Sequence, residues 1–149
     1  MLDSAVRSPQ DLEKHQSLID ELVEVFQRQG FSVSEAEGRE DFQPPRELFN
    51  DGYGDQQDKA PDVYAYDPRN KLYILGEAKT GSNDLETDHA LTQYNVFLDQ
   101  ESSRTGRKMK LFIIVPAMKV PEFNTLITHY IHREYWQNIV VVSSARWSD

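Results

Sequence analysis

The stretch Pro61–Thr80 reads PDVYAYDPRNKLYILGEAKT. Val63, Ala65, Leu72, Ile74 and Ala78 alternate with Tyr64, Tyr66, Tyr73 and Leu75, the period-two pattern of strands with two different faces. Asp67-Pro68-Arg69-Asn70 interrupts it. Proline has no N–H to give a ladder, so Pro68 belongs to a turn, and the stretch predicts a β-hairpin. Two registers are open. If Tyr66 faces Lys71, Asp62 lies opposite Leu75; if Pro68 faces Lys71, Asp62 lies opposite Glu77. Directly opposed residues share a face, so Asp62, Glu77 and Lys79 project together in either case, and a slip of one residue would part them. Two neighbouring carboxylates repel, and one lysine only partly offsets this. The simplest occupant of such a cluster is a hard divalent cation bound by carboxylate, carbonyl and water oxygens.

Outward from the hairpin, the upstream segment predicts a helix over 11–29, with Leu18, Ile19, Leu22, Val23, Val25 and Phe26 at helical spacing and Gly30 as its stop. A short strand is expected over 31–34. Residues 35–60 are polar, with Pro44-Pro45 and Gly52-Tyr53-Gly54, and read as a long loop holding one helical turn around Arg46–Phe49; loops of this length are usually functional or mobile. Downstream, Asn83 followed three residues later by Glu86 has the form of a capping box, predicting a second helix with Leu85, Leu91, Tyr94, Phe97 and Leu98 inward. A basic loop over 101–108 precedes the apolar run Met109–Val115, expected to be a strand covered on both faces. Pro121 opens a third helix lined by Phe123, Leu126, Ile127, Tyr130 and Ile131. IVVVSS after Asn138 is a last strand. The expected order is α-β-β-β-α-β-α-β, an α/β fold with a central mixed sheet flanked by helices.

Composition bounds the rest. The 149 residues are expected to form one domain, 1–149, with 38% apolar and 28% charged residues. Cysteine is absent, which excludes disulfides and thiolate metal sites. No apolar run approaches the ~20 residues that span a bilayer. The start, MLDSAVRSPQ, lacks the basic and apolar regions of a secretory leader. A cytoplasmic protein with no membrane partner is the expectation. Net charge is −9, unlike most proteins that grip phosphates. The acidity is lopsided: residues 1–62 carry fifteen acidic and six basic side chains, and residues 63–149 carry ten of each. Arg104, Arg107, Lys108 and Lys110 form one basic cluster, either a contact for a phosphate backbone or a solvated loop.

The Pro-Asp…Glu-x-Lys pattern of Pro61-Asp62 and Glu77-Ala78-Lys79 resembles the active-site hairpin of the PD-(D/E)XK nuclease superfamily, and the element order resembles the core of its restriction-endonuclease-like fold. The resemblance implies a Mg²⁺- or Mn²⁺-dependent nuclease, hydrolysing phosphodiester bonds as a DNA endonuclease in restriction, repair or mobile-element defence. It implies Asp62, Glu77 and the backbone carbonyl of Ala78 as metal ligands, and Lys79 as a group that orients water, stabilises charge or acts as base. Gln93 on the second helix corresponds to a glutamine that contacts substrate or supports the metal in some branches. The tyrosine that often follows it four residues later is Phe97 here, so no phenol is present.

Other residues stay open. The apolar stripe of the first helix, at about 100° per residue, centres on the direction of His15. His15 either reaches the site or is a core histidine satisfied by a carbonyl. Glu21 lies at the stripe's edge, as an extra acidic ligand or a rim acid, and Glu24 lies further off. His89, His129 and His132 show no ligand spacing. Tyr64, Tyr66 and Tyr73 share the acids' face, to stack on bases or to pack under the first helix. The alternative to an enzyme is a nuclease-like binding or assembly module that meets a protein partner through its acidic N-terminal part. A homodimer would bring two sites to two strands.

Overall fold

A serine and a proline start the first helix. Ser8 Oγ accepts from the Asp11 N–H at 3.1 Å, and Pro9 stands in the first turn, where a missing N–H costs no hydrogen bond. In this computed structural model, which describes residues 7–102 and 106–149, the helix (α1) runs Pro9–Arg28. Strands β1 (Ser32–Ala36), β2 (Val63–Asp67) and β3 (Leu72–Ala78) follow. Then come α2 (Asp88–Asp99), β4 (Lys110–Val115), α3 (Val120–Tyr130) and β5 (Ile139–Ser143). The five strands form one mixed sheet in chain order, β1 to β3 antiparallel and β3 to β5 parallel. The two parallel neighbours are reached through α2 and α3, as such crossovers require. No helix among the described residues is long and apolar enough to cross a membrane.

Strand alternation distributes the core over two faces. Val63, Ala65, Ile74, Phe112 and Ile114 pack with Leu18, Ile19, Leu22 and Phe26 of α1. Tyr64, Leu75, Leu111, Ile113 and Val115 pack with Tyr94, Phe97 and Leu98 of α2 and Phe123 and Leu126 of α3. The tyrosines thus join the α2 side and not α1, the helix expected from sequence. Tyr73 bridges Tyr64 and Tyr66, with ring centroids 5.7 and 4.9 Å away. They share the acids' face but stand along the strands as packing groups.

The hairpin takes the second of the two registers. Val63 pairs with Gly76 and Tyr64 with Leu75, so Asp62 falls opposite Glu77. The ladder stops at Asp67–Leu72, and Asp67 organises the turn by accepting from the Arg69 N–H and the Asn70 side chain. Three local expectations are corrected. The second helix is capped by Thr87, whose oxygen accepts from the Ala90 N–H at 3.0 Å. Asn83 cannot cap because Asp84 gathers the N–H groups of Thr80 and Gly81, a turn that leaves Asn83 at φ 63°. No helical turn forms at 46–49; Leu48 instead pairs with Lys59 in an antiparallel bridge. Tyr130 is half-exposed at the end of α3, not inward.

Gly76 sets how closely α1 approaches the sheet. A Cβ there would lie 2.8 Å from Leu22 Cδ2 and 3.0 Å from Phe26 Cζ. Gly76→Ala is therefore expected to lower stability by about 1–3 kcal/mol, through crowding of a full core. Urea unfolding checks this, with a shifted midpoint at unchanged slope as the expected result.

Candidate active site

The ladder between β2 and β3 runs one residue beyond β2. The Asp62 N–H donates to the Gly76 carbonyl at 2.9 Å. Its carboxylate Oδ2 accepts from the Ala78 N–H at 2.8 Å, so a side chain takes the place of a backbone acceptor. Glu77 Oε1 accepts from the same Asp62 N–H at 3.2 Å. Both acids are thereby fixed at one end of the sheet. On the far side of Glu77, Oε2 lies 3.2 Å from Lys79 Nζ, and Lys79 Nζ donates to Gln93 Oε1 of α2 at 2.6 Å. The side chains of Glu77 and Lys79 are 3% and 4% exposed, so this is a buried pair and not a solvated one. From α1, His15 Nε2 reaches to 3.4 Å of Asp62 Oδ2.

Asp62, Glu77, Lys79, Gln93 and His15, the residues picked out in the sequence, thus line a single cavity of about 560 Å³. Arg7, Asp11, Asp84 and His89 line it too and were not foreseen. Arg7 Nη1 meets Asp11 at 2.5 Å and Asp84 at 3.3 Å, joining the start of α1 to the turn before α2. Phe97, in the place of the missing tyrosine, is fully buried in the core. Tyr94 lies one helical step from Gln93 instead. Its ring stands 5.7 Å from Lys79 Nζ, and its hydroxyl donates to the Leu85 carbonyl at 2.8 Å.

Glu21 is elsewhere. It accepts from the Ser144 hydroxyl and the Ala145 N–H at 2.6 Å each, tying α1 to the segment after β5. Arg107 donates to the Asn70 carbonyl at the hairpin turn, and Lys108 pairs with Asp99 and Glu101. Lys110 begins β4 beside Ile74, whereas Glu77 pairs with Ile113, so this cluster lies about 10 Å along the sheet from the acids. Arg104 falls outside the described residues. His132 is an exposed residue whose Nδ1 accepts from the Glu134 N–H.

The two acids have opposite electrostatics. Burial pushes the Glu77 carboxyl up to about 8, aided by the negative charge of Asp62, while Lys79 and His15 pull the other way. Burial would raise Asp62 as well. The hydrogen bond and charge of His15, the Ala78 N–H and the charge of Lys79 outweigh it and hold Asp62 below its ordinary value. His15 is raised: burial opposes this, but the bond to Asp62 and its charge prevail.

The donor set suits a hard cation. Two carboxylates face one cavity, and burial together with the charge of Asp62 raises the Glu77 carboxyl. Oxygen donors of this kind select Mg²⁺ or Mn²⁺ over softer metals. Among the described residues no group of three or more His, Asp or Glu side chains stands in metal-holding geometry. A cation here would therefore draw its remaining ligands from backbone carbonyl and water. Comparison of the chain with protein-family models, curated proteins and solved structures found no match. The chemistry of this site rests on its geometry.

A carboxyl raised by folding stays protonated in the native state at pH values where the unfolded chain has lost that proton. Stability then falls as pH rises from the unfolded value, near 4.5, through the folded one, near 8. Without divalent ions, Glu77→Gln is expected to melt about 3–6 °C above the wild type at pH 8 and within about 1 °C of it at pH 4.5. Thermal melts of both proteins at the two pH values check the sign; an equal offset at both would contradict it.

Proposed function

We propose that the chain is a metal-dependent nuclease of the PD-(D/E)XK type, with the restriction-endonuclease-like fold, hydrolysing phosphodiester bonds of DNA. One observation carries the reading. Two acids and an amine from adjacent strands, Asp62, Glu77 and Lys79, line one cavity, with Glu77 bonded on one side to the Asp62 N–H and on the other to the Lys79 ammonium. A solvated hairpin face would leave these side chains splayed and exposed.

Asp62 and Glu77 would hold Mg²⁺ or Mn²⁺ together with the Ala78 carbonyl. A cation there supplies polarisation of a phosphoryl oxygen and an acidified water. The chain's own residues do the rest. Lys79 is bracketed by two acceptors, Glu77 Oε2 and Gln93 Oε1, and an ammonium has three donors. The geometry favours a donor that orients water and stabilises charge developing on the phosphate over a base. Gln93 aims it, and α2 holds Gln93 rigid. His15 keeps Asp62 ionised and ready to bind the cation. The bulk acidity, −9, is not an obstacle to a site whose phosphate contacts are local and metal-borne.

The test is cleavage of linear, nicked, branched and single-stranded DNA with Mn²⁺. Asp62→Ala and Lys79→Ala are each expected to lower the rate by at least about 10²-fold, the usual loss when a charge-stabilising group is removed. Mn²⁺ is expected to raise the melting temperature of the wild type and not of Asp62→Ala. A chain that cleaves no nucleic acid and gains no stability from divalent ions is instead a non-catalytic module.

A further inference from the structure

A second cavity, of about 380 Å³, opens where α1 ends, between the β2–β3 turn and the start of β4. Its volume falls in the range of small-ligand sites, about 300–1,000 Å³. It stands apart from the acids. His15, near the start of α1, lines the first cavity, and Gln29 lines the second, fourteen residues on, or about 21 Å along a helix axis.

The floor of this cavity is apolar and its rim is cationic. Ile74, Phe112 and Phe31 line it. Phe31 packs edge-to-face on Phe112, with ring centroids 5.6 Å apart, and stays half-buried. Lys110 pairs with Ile74 and stands two residues before Phe112 on β4, so its side chain leaves the sheet on the same face as both. Its ammonium meets no hydrogen-bond or ion-pair partner among the described residues. Arg69 reaches the cavity from the turn. Its Nη2 donates to the Gln29 carbonyl at 3.1 Å, and its other guanidinium donors meet no acceptor among the described residues.

Asp67 lines the cavity too, but the turn takes up its carboxylate. Oδ1 accepts from the Arg69 N–H at 3.0 Å and Oδ2 from the Asn70 side chain at 2.7 Å. Burial would raise this carboxyl; the bonds from Asn70 and Arg69 and the charge of Arg69 outweigh it and hold it below its ordinary value. Two cations thus face one anion that is already bonded, in a chain whose net charge is −9. Positive charge beside aromatic rings suits an anion with a flat body. Arginine and lysine recognise phosphate, and bases stack on aromatic side chains.

We propose that this cavity binds a nucleotide, Arg69 and Lys110 donating to its phosphate and the base lying against Phe31. The ligand is a free mononucleotide or the terminal nucleotide of a strand, which share this chemistry. The site does not depend on the nuclease reading.

The full chain is titrated, without divalent ions, with AMP, adenosine and inorganic phosphate, and binding is read from backbone ¹⁵N–¹H correlation spectra. AMP is expected to shift the amides of Phe31, Arg69 and Phe112 saturably. It is expected to bind at least about tenfold more tightly than adenosine or phosphate, the loss that follows when a charged hydrogen bond or a stacked base is removed. Lys110→Met and Arg69→Met are each expected to weaken AMP about tenfold. Should Arg69→Met, which also frees the end of α1, fail to fold, Lys110→Met decides. The inference is overturned by the absence of a saturable shift up to about 10 mM AMP, a concentration at which even a weak site fills. Shifts at Ala78 and Gln93 in place of these amides, phosphate binding as tight as that of AMP, or equal AMP binding by wild type and Lys110→Met overturns it as well. Oligothymidylate with and without a terminal phosphate separates the two sources. Tighter binding of the phosphorylated strand, with the same shifts, assigns the site to a strand end; AMP binding with no such difference assigns it to a free mononucleotide.

Discussion

The carboxylate of Asp62 does the work of a backbone carbonyl. By accepting from the Ala78 N–H, while the Asp62 N–H donates to Gly76, it extends the β2–β3 ladder one step past the strand. That interaction fixes the hairpin register at its open end, and the register places Glu77 opposite Asp62. The same bonds that complete the sheet therefore assemble the site. Everything else is arranged around this point. Gly76 lets α1 come close enough for His15 to touch Asp62, and the parallel crossover to β4 brings α2 and Gln93 over Lys79.

Such an arrangement holds charge where burial disfavours it. Asp62 stays ionised because a histidine, an amide N–H and a lysine surround it, and Glu77 bears the consequence by keeping its proton. Two like groups in one pocket with proton affinities driven apart are the usual mark of a functional site rather than of a stabilising one. The cost falls on Glu77, whose ionised form burial and the charge of Asp62 disfavour, whereas the carboxylate of Asp62 contributes to the hairpin through the Ala78 N–H.

The hairpin was legible because its information is local. Alternation over Val63–Asp67 and Leu72–Ala78 gives two strands, and the parity of their pairing puts Asp62, Glu77 and Lys79 together without a decision on register. Helix α1 and strand β4 were legible for the same reason, a clean apolar period. What escaped is held by polar contacts between distant residues. The start of α2 is set by Asp84 turning back on Thr80 and Gly81, which overrides the capping pattern at Asn83. The loop between β1 and β2 has no apolar period at all. It is ordered by Asn50 bonding Tyr53 and Gln57, by Glu35 gripping Arg46, and by Lys59 with Asp55 and His89. Glu21, expected at the stripe's edge as a ligand or a rim acid, is instead buried, and its partners lie beyond residue 140, out of reach of any local pattern.

Soaking crystals of the protein in Mn²⁺ and recording anomalous diffraction tests the central claim most directly. One peak is predicted about 2 Å from a carboxylate oxygen of both Asp62 and Glu77, within the cavity and beside Lys79. Saturating Mn²⁺ that leaves this position empty, or a cation held by only one of the two acids, would contradict the account.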